Sequence, residues 1–392
     1  MDETYRKAGK MDLERFASLL DPVQTDLIEV IRDYLLEGRR STAYITIELH
    51  KLNVYSTHSI FIRHQKLTPS PGKGSFFKAH IDTPRGEKMF GSLVVVFPTP
   101  HEGGALLLRH RGHEWTFDSG RALAAERQPS IAYVAFFSDV EHEVAPVISG
   151  HRVTLTYNLY FGDGGDSELP SKDPDSEHLS ILPAPNENAF REAFQGLLEN
   201  PEFLPHGGTL AFGLRHIYPI GNDLNHPSPL EHVYGALKGS DAVVYQTFRA
   251  LGFQPVLYMY YEKTRWPDFR EAAVIDKLVD FNGSESCNDS VDIIKTIRYE
   301  GGIVVCQEGW KTDPKYGYEN PERVEWVSMT TFNCKEIRYA TYGNQPTLNL
   351  AYADLCLFVR IGKAGERLVY PTVSQLKSEW KNEPQTSPFW RR

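Results

Sequence analysis

Three residues of this chain have the types and spacing of a mononuclear metal site. His80 and Asp82 are two positions apart at the end of a strand-like run, and His142 comes later, at the start of another. Residues i and i+2 of a strand point to one face, so an imidazole and a carboxylate are presented side by side. Two neutral nitrogens and one carboxylate bind Fe(II) on one face of its octahedron and leave three positions open.

This spacing alone is a weak signal, because a surface histidine beside a solvated aspartate is common. Of the 14 histidines, His80 is the only one followed two residues later by an acidic residue. Arg152 strengthens the signal, since it opens the otherwise uncharged run RVTLTYNLYF. A charge at the edge of a core strand is costly unless it is paired, and a carboxylate is the natural partner of a guanidinium. Thr154 falls on the same strand face and could add a hydroxyl donor. The competing interpretation of Arg152 is a surface salt bridge.

The stretch from Lys51 to Phe161 resembles the prolyl 4-hydroxylase-like branch of the Fe(II)- and 2-oxoglutarate-dependent dioxygenases. The segments that carry the resemblance are KLNVY, GSFFKAHIDTPRG, FGSLVVVFP, HEGGALLLRHRG and SDVEHEVAPVISGHRVTLTY. They look most like uncharacterised fungal-type members. The ordered set HxD, GGxL, HEV and a downstream arginine is more specific than any one segment.

The resemblance implies a double-stranded β-helix, a cupin-like jelly roll, in which His80, Asp82 and His142 ligate iron. It implies that Arg152 binds the distal carboxylate of 2-oxoglutarate and that Tyr55 reaches the same cosubstrate. The implied cofactors are Fe(II), 2-oxoglutarate and O2, with ascorbate as a further candidate. The implied activity is hydroxylation of a prolyl residue of a protein, or of a small metabolite, with release of succinate and CO2.

Two other functions stay open from the residues alone. A non-catalytic or regulatory protein could keep the jelly roll and bind only metal and 2-oxoglutarate. A cupin-type metalloenzyme without a ketoacid would leave Arg152 without a role. One departure from the family favours the first of these: STHSIFIRHQKLTPSP, residues 56–71, is inserted between the Tyr55 strand and the glycine turn before His80.

For the other candidate residues, a structural or solvent-exposed position is favoured over a functional role. His110 and His113 (HRGH) resemble a metal pair but are better explained by a turn between two strands. Arg85 could contact an anionic substrate, but a solvated turn residue is the favoured interpretation. Arg109 and Arg111 could line the substrate side of the sheet, but a position facing water is favoured.

The chain divides into four predicted parts. Short β-rich runs with flanking helices occupy residues 1–162, the predicted catalytic domain, and apolar residues at helical spacing between Met11 and Gly38 predict its N-terminal helices. Residues 163–190 are acidic and rich in Pro and Gly, which predicts a linker. Residues 191–380 predict a non-catalytic α+β domain, with a helix from about Ser228 towards Gly252 and a degenerate second jelly roll as one hypothesis; residues 381–392 form a tail. The predicted fold class is therefore mainly β with flanking helices (α+β).

Composition and charge narrow the function classes. The net charge of -9 argues against general nucleic-acid binding. No apolar run is long enough for a membrane span, and no apolar signal core follows the N-terminus, so we expect an intracellular protein, cytoplasmic or nuclear. The four cysteines show no CxxC spacing and are expected to be buried thiols. Protein or small-molecule substrates are the expected partners, and the sequence does not indicate an oligomeric state.

Overall fold

The computed structural model describes residues 6–36, 44–56, 61–62, 65–66, 75–82, 85–86, 88–162, 185–218, 220–221, 230–265, 269–279, 293–308, 323–329, 350–351 and 354–368. In chain order the strands are β1 (Arg6–Lys7), β2 (Gly9–Met11), β3 (Ile45–Ser56), β4 (Phe61–Ile62), β5 (Gln65–Lys66), β6 (Phe76–His80), β7 (Met89–Val96), β8 (His101–Gly103), β9 (Leu106–His110), β10 (His113–Phe117), β11 (Ala132–Phe137), β12 (Glu141–Val144), β13 (Val147–Phe161), β14 (Gly208–Gly213), β15 (Ile220–Gly221), β16 (Val256–Arg265), β17 (Phe269–Ile275), β18 (Ile303–Glu308), β19 (Val324–Ser328), β20 (Leu350–Ala351) and β21 (Asp354–Ile361). The α-helices are α1 (Leu27–Leu35), α2 (Ser119–Ala124), α3 (Pro185–Glu199), α4 (Glu231–Ala236), α5 (Gly239–Ala250) and α6 (Ile293–Tyr299).

Two sheets form the N-terminal domain. One has the strand order β1-β6-β12-β9-β10, and the other has the order β11-β7-β13-β3-β2, with β8 pairing to β13. The pairings within both sheets are antiparallel, and strands distant in sequence are neighbours in space. This is the jelly roll that the sequence predicts.

The core between these sheets is built by alternate residues of both. Tyr55 and Phe136 come from one sheet, and Leu106 and Val144 come from the other. Successive strand residues point to opposite faces, so the next residues along β7 and β13 pack on the outer side, where Leu93 and others meet α1. His80 and His142 lie on strands β6 and β12, whose inner face is anchored by this core, and Asp82 follows the end of β6.

The N-terminal region contains less helix than the apolar spacing predicts. Only α1 is an α-helix, while Leu13–Arg15 and Pro22–Gln24 are single 3-10 turns. Asp21 precedes a proline and adopts an extended backbone, because a residue before proline is disfavoured in the helical region. The prediction of helices is therefore confirmed for the second half of the stretch and wrong for the first.

A six-stranded sheet of order β18-β17-β16-β21-β14-β19 forms the centre of the C-terminal region, as the α+β prediction requires. Helices cover one of its faces and bury a core that includes Phe194, Phe248, Leu257 and Ile297. The hypothesis of a second jelly roll needs two facing sheets. Within the described residues that role is taken by helices, and only the two-stranded β15–β20 sheet is additional.

Two helix boundaries differ from the sequence prediction. Helix α3 begins at Pro185, inside the predicted linker, because proline suits the first turn and Phe190 and Phe194 give it an apolar face. The helix expected from Ser228 is broken into α4 and α5, since Lys238 has an extended backbone and Gly239 follows with a φ of 53°. None of the described helices has the length and apolarity of a membrane span.

Candidate metal and cosubstrate site

The three predicted metal ligands lie together. Their ligand atoms are all within 4.8 Å of one another, with Nε2 of His142 3.7 Å from Oδ1 of Asp82. His142 on β12 pairs directly with His80 on β6, and the two ring centroids are 4.1 Å apart. Strand pairing thus closes the gap between HxD and the distant histidine.

Both histidines are held in the same tautomer by the backbone. Nδ1 of His80 is 2.8 Å from the carbonyl oxygen of Lys78, and Nδ1 of His142 is 3.1 Å from that of Val140. A carbonyl oxygen can only accept, so each Nδ1 carries the proton and each Nε2 presents a lone pair. This is the form of imidazole that binds a metal, oriented by an outer-shell partner.

Asp82 is ionised and oriented. The hydroxyl of Ser92 on β7 donates to its Oδ2 over 2.6 Å and leaves Oδ1 turned towards His142. Burial alone would raise the pKa of Asp82, but the His142 ring and the Ser92 hydrogen bond outweigh it, so the pKa is lowered. A neutral–neutral–anionic donor set of this kind fits Fe(II).

Arg152 occupies the position expected of a buried anion receptor. It is 1% exposed, faces Tyr55 across the β13–β3 pairing, and its guanidinium carbon lies 5.4 Å from the centre of the Tyr55 ring. Burial lowers the pKa of Arg152, and within the described residues its Nη2 has no hydrogen-bond partner. A buried charged donor without a partner is costly, and a carboxylate ligand would satisfy it. The surface salt-bridge interpretation is wrong.

The second glycine of the GGxL motif makes room for this arginine. Gly104 has a φ of 71°, which only glycine adopts readily. A Cβ at this position would lie 2.9 Å from Cδ of Arg152 and 2.8 Å from Cγ2 of Val147. The motif therefore belongs to the Arg152 side of the site.

Tyr55 and Thr154 are both buried beside Arg152. Thr154 is two residues further along β13, so it shares the face of Arg152, and Tyr55 belongs to the core between the sheets. Phe136 of the same core lies 4.8 Å from the His142 ring, between centroids. The arginine side and the metal side are thus both in contact with the same core between the sheets, and the roles of Tyr55 and Thr154 towards a cosubstrate stay predictions.

A second group of two histidines and an aspartate lies where the two regions of the chain meet. Asp139 accepts hydrogen bonds from Nδ1 of His216 (3.1 Å) and the backbone amide of Ile217 (2.9 Å), and it pairs with Nζ of Lys238 at 3.1 Å. His110 stacks on His216, with centroids 5.1 Å apart. Burial would raise the pKa of Asp139, but the charge of Lys238 and the His216 ring hold it well below its usual value.

Sequence reasoning missed this second group. His110 and His113 do flank a turn, in which Arg111 and Gly112 have positive φ, so the prediction for HRGH is confirmed. Nothing in the local sequence indicates that His110 also meets His216. Both rings lie against Oδ2 of Asp139, with Nε2 of His110 at 3.7 Å and Nδ1 of His216 at 3.1 Å. Arg111 donates from Nε to the carbonyl oxygen of Arg215 over 2.8 Å, so it contacts the C-terminal half of the chain and is not simply a solvated residue.

The remaining candidates have ordinary surface partners. Arg109 pairs with Glu114 and Glu143, and Arg85 contacts His50 at an exposed position. The insertion 56–71 lies mostly outside the described residues, which contain only Ser56, at the end of β3, and the short β4–β5 pairing. Of the cysteines in the described residues, Cys356 is buried and Cys306 is half-buried, and neither forms a disulfide; Cys287 and Cys334 lie outside the described residues.

The fold and the site together define a jelly roll with a two-histidine, one-carboxylate metal centre. Residues 64–160, about a quarter of the chain, match the family model described as "2OG-Fe(II) oxygenase superfamily". The match confirms, for this region, the resemblance to Fe(II)- and 2-oxoglutarate-dependent dioxygenases. No curated protein matches the sequence.

Three solved structures are similar to parts of the chain. A prolyl hydroxylase from Trichoplax adhaerens, in complex with a hypoxia inducible factor oxygen degradation domain peptide fragment, is 17% identical, with a TM-score of 0.26 over 40% of this chain and 64% of that one. An oxidoreductase of the 2OG-Fe(II) oxygenase family from Burkholderia pseudomallei is 15% identical (TM-score 0.22; 42% and 69%). A prolyl-4-hydroxylase from Pseudomonas putida is 18% identical (TM-score 0.21; 41% and 76%). The chain thus spans just under two thirds of the first of these.

Proposed function

We propose that this protein hydroxylates a substrate in a reaction that depends on Fe(II) and 2-oxoglutarate and releases succinate and CO2. The observation that carries the proposal is the pairing of two features in one domain. His80, Asp82 and His142 converge, and the buried Nη2 of Arg152 has no hydrogen-bond partner among the described residues.

Each residue contributes a distinct physical function. Nε2 of His80, Nε2 of His142 and Oδ1 of Asp82 would hold the metal, and the Asp82 charge offsets one of its two positive charges. The guanidinium of Arg152 would bind the distal carboxylate of 2-oxoglutarate with charge-assisted hydrogen bonds. When bound, iron and 2-oxoglutarate supply the activation of O2 and the oxidative decarboxylation that drive hydroxylation.

The substrate is proposed to be a prolyl residue in a protein or a small metabolite. Support for the prolyl residue comes from the segments that resemble prolyl 4-hydroxylases. A jelly roll by itself does not select between these substrates, because one fold supports many.

The test is succinate formation from 2-oxoglutarate with added Fe(II) in air, compared between the wild type and His142→Ala. We expect turnover in the wild type, slow without substrate, and none above background in His142→Ala. Equal turnover in both would remove the proposal. Binding of Mn(II) and 2-oxoglutarate without any turnover, across candidate peptides and metabolites, would favour the non-catalytic alternative.

A further inference from the structure

A chain of hydrogen bonds holds the guanidinium of Arg152 from the side away from its Nη2. Nε of Arg152 lies 3.4 Å from Oγ of Ser119, and this hydroxyl lies 3.1 Å from Nε2 of His101. Nδ1 of His101 is 2.8 Å from the carbonyl oxygen of Thr99. Arg152, Ser119 and His101 are all buried, so the chain runs through the interior and ends on the backbone.

The donor and the acceptor of each hydrogen bond in this chain follow from the last bond, to the Thr99 carbonyl oxygen. The Thr99 carbonyl can only accept, so Nδ1 of His101 carries the proton and, in the neutral ring, Nε2 accepts. The Ser119 hydroxyl therefore donates to His101 and keeps its lone pairs for Nε of Arg152. Each donor in the chain has one acceptor.

Close packing brings the serine within reach. Helix α2 starts at Ser119, where the side chain of Asp118 accepts a hydrogen bond from the backbone amide of Arg121 (3.0 Å). A Cβ on Gly120 would lie 2.6 Å from the carbonyl oxygen of His101 and 3.3 Å from its Nε2. Only a glycine at position 120 lets the helix approach β8 this closely.

We propose that Ser119 and His101 are positioning residues for the distal carboxylate of 2-oxoglutarate and act through Arg152. They satisfy Nε and fix the plane of the guanidinium, while Nη2 stays available to the ligand. A receptor whose rotamer is already fixed loses less freedom when it binds. The inference rests on the proposed function, since it concerns the cosubstrate of that same site.

The test separates the distal carboxylate from the rest of the ketoacid. The full chain is loaded with Mn(II) and titrated by calorimetry with 2-oxoglutarate, and separately with pyruvate, which has no distal carboxylate. Ser119→Ala should raise the Kd for 2-oxoglutarate about tenfold, as loss of an outer-shell partner typically does, and leave the Kd for pyruvate unchanged. In turnover, KM for 2-oxoglutarate should rise while kcat at saturation stays the same.

Two matched variants of His101, the next residue in the hydrogen-bonded chain, test the same proposal independently of the Ser119 variant. His101→Leu removes the Nε2 acceptor of the Ser119 hydroxyl and should weaken the binding of 2-oxoglutarate as much as Ser119→Ala does. His101→Gln offers an amide oxygen to the Ser119 hydroxyl and should recover most of the affinity. Thr247→Val removes a buried hydroxyl from α5 in the C-terminal region and is the control for a purely structural loss.

The outcomes distinguish this inference from the proposed function. Wild-type protein that binds neither ketoacid overturns both. If the wild type binds 2-oxoglutarate and the Ser119 and His101 variants bind it equally well, only the positioning role is overturned. A rise in the Kd for pyruvate by the same factor, or the same loss in Thr247→Val, also overturns it.

Discussion

Two groups of the same composition, each two histidines and one aspartate, lie in this molecule and differ in what surrounds the carboxylate. Asp82 accepts one neutral hydroxyl, from Ser92, and its other oxygen faces Nε2 of His142. Asp139 is already paired with the Lys238 ammonium and with a backbone amide. The first group can accept a cation, while in the second group a cation of the protein takes that place.

The two groups also differ in which partner holds the Nδ1 atom of their histidines. Backbone carbonyls hold Nδ1 of His80 and His142, which leaves the Nε2 atoms to converge. In the second group Nδ1 of His216 is hydrogen-bonded to the Asp139 carboxylate itself. Residue type therefore does not make a metal site: the partners of each ligand decide whether a lone pair is available.

The largest expected effect is on stability, in the second group. Lys238→Met leaves the Asp139 carboxylate buried without its cation, and breaking a buried pair in this way costs about 3–5 kcal/mol. The measurement is urea unfolding of the full chain at pH 7. Adding Asp139→Asn to Lys238→Met should recover more than half of the loss, because no unpaired charge then remains.

An exposed ion pair is the control for this prediction. Arg109→Met breaks contacts to Glu114 and Glu143 that are partly solvated, so we expect it to be far milder than Lys238→Met. If the Lys238 and Arg109 variants lost equal stability, the second group would not be a desolvated pair.

The next effect is on metal affinity, in the first group. His80→Ala removes a ligand and should weaken Mn(II) binding by more than about 100-fold, the upper end of what outer-shell changes cause. The matched variant His110→Ala removes a histidine from the second group and should leave Mn(II) affinity unchanged. Mn(II) titration followed by electron paramagnetic resonance measures both, and weakening by His110→Ala would show that the second group binds metal after all.

The smallest effect concerns the hydroxyl beside each aspartate. Ser92→Ala deletes the hydroxyl donor that orients Asp82 and should lower the affinity for Mn(II) about tenfold. Ser138, whose hydroxyl is 3.5 Å from Nζ of Lys238, is its counterpart in the second group. Ser138→Ala should not change Mn(II) affinity, and a Ser92→Ala protein that binds Mn(II) like the wild type would mean that Asp82 needs no orienting partner.

The features of this protein that depend on local spacing could be predicted from its residues alone. Short β-rich runs predicted a mainly β N-terminal half, the HxD pair and the later His142 indicated the triad, and a charge at the edge of an uncharged run predicted a paired Arg152. The jelly roll itself was implied by the family resemblance. These predictions hold because a strand has a fixed period and a buried charge requires a partner.

Which distant segments meet is visible only in the folded chain. The link from Arg152 through Ser119 to His101, the joining of Asp139 to His216 and Lys238, and the break before Gly239 all depend on long-range contacts. The local pattern around Lys238 is helical, yet its backbone is extended and its ammonium is buried on Asp139. Local periodicity specifies which face of an element is buried, whereas the partner that reaches that face is set by the packing of the whole chain.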